Sequence, residues 1–220
     1  MIYVLSAFVF GLFIPYAARR FAKFMPASFA FALWQIVKPS ANAKKILKSP
    51  LYKSYLLRSL MSALLTAALS GLFWYCSGAE NLWWKLAFLW ILLLLAEIDR
   101  RMFLLPDILT VPLLILGFFA AAWNCGFTIA PDSALGAAAG YFLPSLAALF
   151  LVWKNRDAFG GGDIKLLAAI GAWLGLECLL YTVLLASLGQ LSVSLLRRQK
   201  AAAFGPALAF SAIIIAICFF

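Results

Sequence analysis

Residues 92–117 read LLLLAEIDRRMFLLPDILTVPLLILG. Two apolar runs flank a short charged break. The runs are continuous and do not alternate apolar with polar, which disfavours both a half-buried strand and a transmembrane barrel. Extended outward, each approaches the roughly 20 residues a helix needs to cross the hydrocarbon of a bilayer. The rest of the chain repeats this alternation of apolar runs and charged breaks. Over all 220 residues, 66% are apolar and 12% charged, against about 25% charged in an ordinary soluble domain. A chain of this size cannot hide so much apolar surface in one water-bounded core.

The expected fold class is therefore all-α, a polytopic transmembrane helical bundle of about eight spans. The spans fall at 2–18, 59–77, 83–98, 108–127, 135–153, 164–175, 177–196 and 203–220. The sixth is short, and Gly171 and Gly175 predict a tight turn at its end. Pro15, Pro112 and Pro144 lie inside spans and predict kinks. Segment 26–37 is too short to cross and suits the interface, with Trp34 at headgroup depth. Residues 1–58 form a first span plus a basic loop, and 59–220 a membrane core. The first apolar run has no basic residues before it, while Arg19 and Arg20 follow it. It reads as a span and not as a removable signal.

Charge sets the orientation. With the N-terminus outside and eight crossings, the inside segments are 19–58, 99–107, 154–165 and 197–202. They hold 17 of the 18 basic residues, and only Lys85 falls outside. Cytoplasmic loops are enriched in Lys and Arg, so this partition supports span count and orientation together. It also explains the net charge of +10 without nucleic acid as a partner. The run Lys38, Lys44, Lys45, Lys48, Lys53 suits anionic membrane lipid.

The same topology places Asp99, Asp107, Asp157 and Asp163 at the cytoplasmic edge. Asp99 and Asp163 are 64 residues apart, yet at similar depth. Two carboxylates brought close in a partly apolar site repel and hold one proton between them. One then acts as base toward water, and the other donates a hydrogen bond to a substrate carbonyl. That chemistry needs no histidine, and the chain has none. Asp163 opens a span, where the helix dipole favours the charged form, so it is expected to be the ionised partner. Gly160, Gly161 and Gly162 before it permit positive φ and close backbone approach, a seat for an extended substrate strand. The plainer reading of these four residues is a flexible loop whose aspartate caps a helix.

Two stretches, IDRRMFLLPDILTVPLLILG at 98–117 and FGGGDIKLLAAIGAWLG at 159–175, resemble the signature regions of the type IV prepilin leader peptidases, membrane aspartic proteases of the GxGD type. AAAFGPALA at 201–209, through Phe204, Gly205 and Pro206, is similar to a family segment near the last span. The resemblance covers about 97–215. It implies that Asp99 and Asp163 are catalytic, and that the substrate is a prepilin or pseudopilin of a pilus or secretion system. It implies cleavage of a short basic leader, before an apolar helix, at the cytoplasmic face of a bacterial inner membrane. Typical members also methylate the new N-terminus, using S-adenosylmethionine, and carry paired C-x-x-C motifs in a cytoplasmic domain. Region 19–58 is basic and free of cysteine, so the resemblance carries methyl transfer less far than proteolysis. No metal and no other cofactor is expected.

Three more residues are candidates for support. Asp107 follows Pro106 and either caps its helix or assists Asp99. Glu97 is the acid set deepest on this side, and tunes Asp99 or meets a substrate amine. Lys165 snorkels to the interface or contacts the charged site. Cys76, Cys125, Cys178 and Cys218 form no C-x-x-C pair and read as packed thiols. Two other classes stay open: a proton-coupled transporter, which predicts acids near the bilayer midplane, and a catalytically inactive assembly factor of a pilus or secretion system.

Overall fold

The computed structural model describes residues 2–24, 51–78, 80–153, 160–197 and 203–220. These residues fold into seven helices with no strand among them. They are α1 (Ile2–Phe24), α2 (Leu51–Ser77), α3 (Leu82–Met102), α4 (Asp107–Ala122), α5 (Ala130–Trp153), α6 (Gly161–Arg197) and α7 (Gly205–Phe219). The interfacial segment 26–37, most of the basic run, and Lys154, Arg156 and Asp157 lie outside the described residues. Helices α1, α2, α5 and α6 are long and apolar enough to cross a membrane. Charges at both ends set α3 apart, and α4 and α7 are shorter apolar helices. The protein is a polytopic helical bundle.

The chain forms two compact units, Met1–Leu72 and Phe73–Phe220. In the first unit, α1 lies against the middle of α2 through small residues. A Cβ on Gly11 would sit 2.5 Å from the Ala63 Cα, and the Ser62 hydroxyl donates to the Gly11 carbonyl at 2.7 Å. With lipid as apolar as Leu, helices associate by such close packing and by hydrogen bonds, not by exclusion of water.

The second unit carries the site. Its core is Trp173, 1% exposed, whose indole N–H donates to the Leu113 carbonyl at 2.8 Å. Gly117 admits that ring, since a Cβ there would stand 2.8 Å from Trp173 Cδ1. Phe88 and Phe127 close around it. Helices α5 and α6 pack backbone to backbone. Gly136 and Gly140 lie one turn apart on one face of α5. Cβ atoms on them would fall 2.3 Å from the Gly171 carbonyl oxygen and 2.5 Å from that of Leu167. Gly171, expected to make a turn, is helical and serves this contact instead. Ser133 adds a buried hydrogen bond to the Ala172 carbonyl at 2.6 Å.

Gly175 is where the expected break occurs. Its φ of 81° and ψ of 178° are non-helical and divide α6 in two. A straight helix of 37 residues would run about 55 Å. Gly205, eight residues after Arg197, is back beside Asp99, and eight residues reach at most about 29 Å. The chain must therefore reverse at Gly175. Leu184, Leu188 and Leu191 on the returning half stay exposed, at the spacing of one helix face and suited to lipid.

Candidate active site

Asp99 lies in the last turn of α3, with Arg100 and Arg101 after it. The helix stops one turn later because Phe103 takes the left-handed conformation, φ 53°. Its N–H returns to the Asp99 carbonyl at 2.8 Å, which closes the helix end. A left-handed β-carbon-bearing residue costs roughly 1–2 kcal/mol, so this stop is held by its surroundings. Leu105 and Pro106 are buried, and Pro106 in an extended conformation starts α4.

Asp163 lies in the first turn of α6, which opens as the Asp163 and Ile164 N–H groups bond the Gly160 carbonyl at 3.0 and 3.3 Å. The three glycines do not form the expected loop of positive φ: Gly161 and Gly162 are already helical, and none of the three has positive φ. Their lack of a side chain matters for space. A Cβ on Gly162 would meet the Leu105 Cβ at 2.9 Å, whereas one on Gly161 would meet nothing within 4 Å. Gly162 lets the start of α6 press against the turn after α3, and this brings Asp163 level with Asp99.

Both carboxylates line one open cavity of about 340 Å³, with Phe103, the glycines, Asp107 and Lys165 at its sides. Asp99 is 4% exposed, and Asp163 is partly buried. Asp99 Oδ2 accepts the N–H of Gly205, the first residue of α7, at 3.0 Å. Gly205 could not be larger, because its Cβ would sit 2.6 Å from that same oxygen. Each carboxylate thus faces a helix N-terminus, so the dipole no longer favours Asp163 alone as the ionised partner. Of the two, Asp99 has the backbone donor, which stabilises a negative charge. A larger cavity, about 610 Å³, opens beside Gly175, Asp132 and Glu177. It contains neither member of the pair, and the size of a cavity does not make it reactive.

Residues 86–195 match the type IV leader peptidase family. Relatives named prepilin leader peptidase/N-methyltransferase share 42% identity with the chain in Dickeya chrysanthemi, over 71% of this chain and 57% of the relative. In Pectobacterium carotovorum the figures are 41%, 66% and 53%, and in Pseudomonas aeruginosa 37%, 74% and 58%. The chain belongs to the type IV leader peptidase family. It spans little more than half the length of these relatives. No solved structure matches it.

The matched family region contains Asp99, Asp163 and the three glycines, and ends before α7. The other candidates divide. Asp107 makes no side-chain cap on α4, whose N-cap is Pro106; its carboxylate takes the Lys165 ammonium at 2.6 Å on the cavity rim. Glu97 stands outside the cavity lining and is held by Arg100, at 2.9 Å, and by Arg101. Gly205 was not singled out as a site residue by charge or spacing. The one signal pointing near it was the FGP run at 204–206. Among the described residues, no group of three Cys, Asp or Glu is arranged to hold a metal ion.

Proposed function

We propose that this leader-peptidase relative is an aspartic endopeptidase that removes the short leader of a prepilin or pseudopilin at the cytoplasmic face of the bacterial inner membrane. The observation that carries the reading is the pair of carboxylates, on two different helices, in one open cavity at the helix ends. The names of the relatives supply the substrate class.

The pair holds one proton. Asp99, fixed by the Gly205 N–H, acts as the base and takes a proton from water as the oxygen attacks the scissile carbonyl carbon. Asp163 carries the shared proton and donates it to the carbonyl oxygen. As the tetrahedral diol collapses, Asp99 passes its proton to the leaving amine and Asp163 recovers one from the diol hydroxyl, so the pair ends as it began. A substrate helix in the bilayer presents its cytoplasmic end at this depth, and the open face of Gly161 leaves room for an extended strand. The basic residues Arg100, Arg101 and Lys165 lie at this end. Lys85 lies at the other, over the Phe127 ring. That arrangement supports a cavity facing the cytoplasm.

The proposed hydrolysis uses carboxylates and water alone. N-methylation of the product, which would require S-adenosylmethionine, is not part of it. The test is leader removal from a prepilin-like substrate by the purified protein in detergent. Cleavage that disappears in both Asp99→Asn and Asp163→Asn supports the pair. A wild-type protein that cleaves none of several prepilins would leave the assembly-factor reading. Mass spectrometry of the product reports methylation directly.

A further inference from the structure

Lys165 lines the same cavity as the two aspartates, and its ammonium is spent on Asp107. The two side chains are 41% and 61% exposed, and solvated pairs of this kind add little to stability. The pair does decide where a positive charge sits. Lys165 follows Asp163 by two residues on α6, and its four-carbon stem is flexible. With Asp107 neutralised, the anions left lining the cavity are Asp163 and Asp99. An ammonium drawn to them would favour ionisation of both and strip the pair of its shared proton.

We infer that Asp107 is a positioning residue that holds Lys165 away from the Asp99–Asp163 pair and so keeps that pair singly protonated at working pH. The inference rests on the proposed dyad. The other charged neighbours are accounted for among the described side chains. On α3, Glu97 is occupied by Arg100 and Arg101 outside the cavity. Helix α7 contributes a backbone N–H and carries no charged residue. Asp132 of α5 and Glu177 of α6 line the other cavity.

Loss of each charge by itself moves the pair's titration in opposite directions, because a nearby anion raises a carboxyl pKa and a nearby cation lowers it. Positioning adds one thing more: the effect of Asp107→Asn depends on Lys165 being there to move. The test titrates the carboxyl carbons of aspartate-labelled protein in detergent micelles by NMR, with Asp99→Asn and Asp163→Asn spectra as assignments. Asp107→Asn should move the pair's titration to lower pH, by about one unit. Lys165→Met, which leaves the Asp107 anion unpaired, should move it to higher pH. In the Lys165→Met background the downward shift from Asp107→Asn should largely vanish, because no ammonium is left to move to the pair, and Asp107→Glu should keep the wild-type curve. Both limbs of the pH–rate profile should follow. Should Asp107→Asn not fold, Asp107→Ser takes its place in the same comparison. A shift of the same size with and without Lys165, or no shift, overturns the inference. A Lys165-dependent shift in a protein that cleaves nothing would uphold it while removing the peptidase reading. Cleavage that needs both aspartates, without a Lys165-dependent shift, would do the reverse.

Discussion

Replacing Gly205 with alanine isolates the contact that holds Asp99. Gly205 is the first residue of α7 and has no positive φ, so alanine brings no backbone strain. Its Cβ would stand 2.6 Å from Asp99 Oδ2 and 2.9 Å from Cγ. Restoring ordinary contact at about 3.4–3.5 Å forces the carboxylate back by roughly 0.8 Å. That retreat also opens the 3.0 Å hydrogen bond from the Gly205 N–H. Losing a hydrogen bond to a charged group costs about 1.5–3 kcal/mol. Independently, misplacing a reacting group by about 1 Å costs on the order of 10²-fold in rate, or roughly 2.7 kcal/mol. The first figure is a cost in stability and the second sets the rate, so Gly205→Ala should lower kcat about a hundredfold. The assay is cleavage of a prepilin-like substrate at saturation, beside a thermal melt in detergent. Gly189→Ala, in the interior of α6 with nothing within 4 Å of its added carbon, is the control. An Asp99→Ala/Gly205→Ala double variant loses the contacts with Oδ2 and Cγ and keeps only the 3.1 Å approach to the Asp99 Cβ, so alanine at 205 should lower its melt less than it lowers that of the wild type. A Gly205→Ala enzyme with wild-type kcat would show that the placement of Asp99 by this N–H does not govern the chemistry.

The glycines before Asp163 should separate. Gly161→Ala has open space and should keep the fold and kcat while raising KM, since its methyl enters the room left for the substrate strand, whereas Gly162→Ala meets Leu105 at 2.9 Å and should lower kcat by displacing α6; kinetics on both variants checks this. Glu97→Gln should leave kcat/KM and its pH profile within about twofold of wild type, since Glu97 lies outside the cavity lining. Gly171→Ala places a carbon 2.2 Å from the Gly136 carbonyl oxygen and should prevent α5 and α6 from closing, read as loss of a cooperative melt. Ser133→Ala, which removes one buried hydrogen bond, should cost only about 1 kcal/mol in the same melt.

Composition and the continuous apolar runs determined that this is a helical membrane protein, because hydropathy is a property of each segment against its solvent. The charged breaks marked the helix ends at Asp99 and Asp163. Gly175 was legible as a turn, since few residues but glycine adopt its φ of 81°. Gly171, the same residue type four positions earlier, reads in sequence as part of that turn, although in the structure its missing side chain serves a neighbouring helix. The four-residue spacing of Gly136 and Gly140 was the available sign of that contact. The glycines at 160–162 were read as a loop, because composition cannot tell a flexible glycine from one left bare so that Leu105 can approach.

What tertiary structure alone decided was pairing. In lipid every helix is apolar outward, so hydropathy does not say which helices touch. Bringing Gly205 to Asp99 across 106 positions, and Lys165 to Asp107 across 58, depends on steric fit and hydrogen bonds between helices. Those terms arise only once the backbones meet.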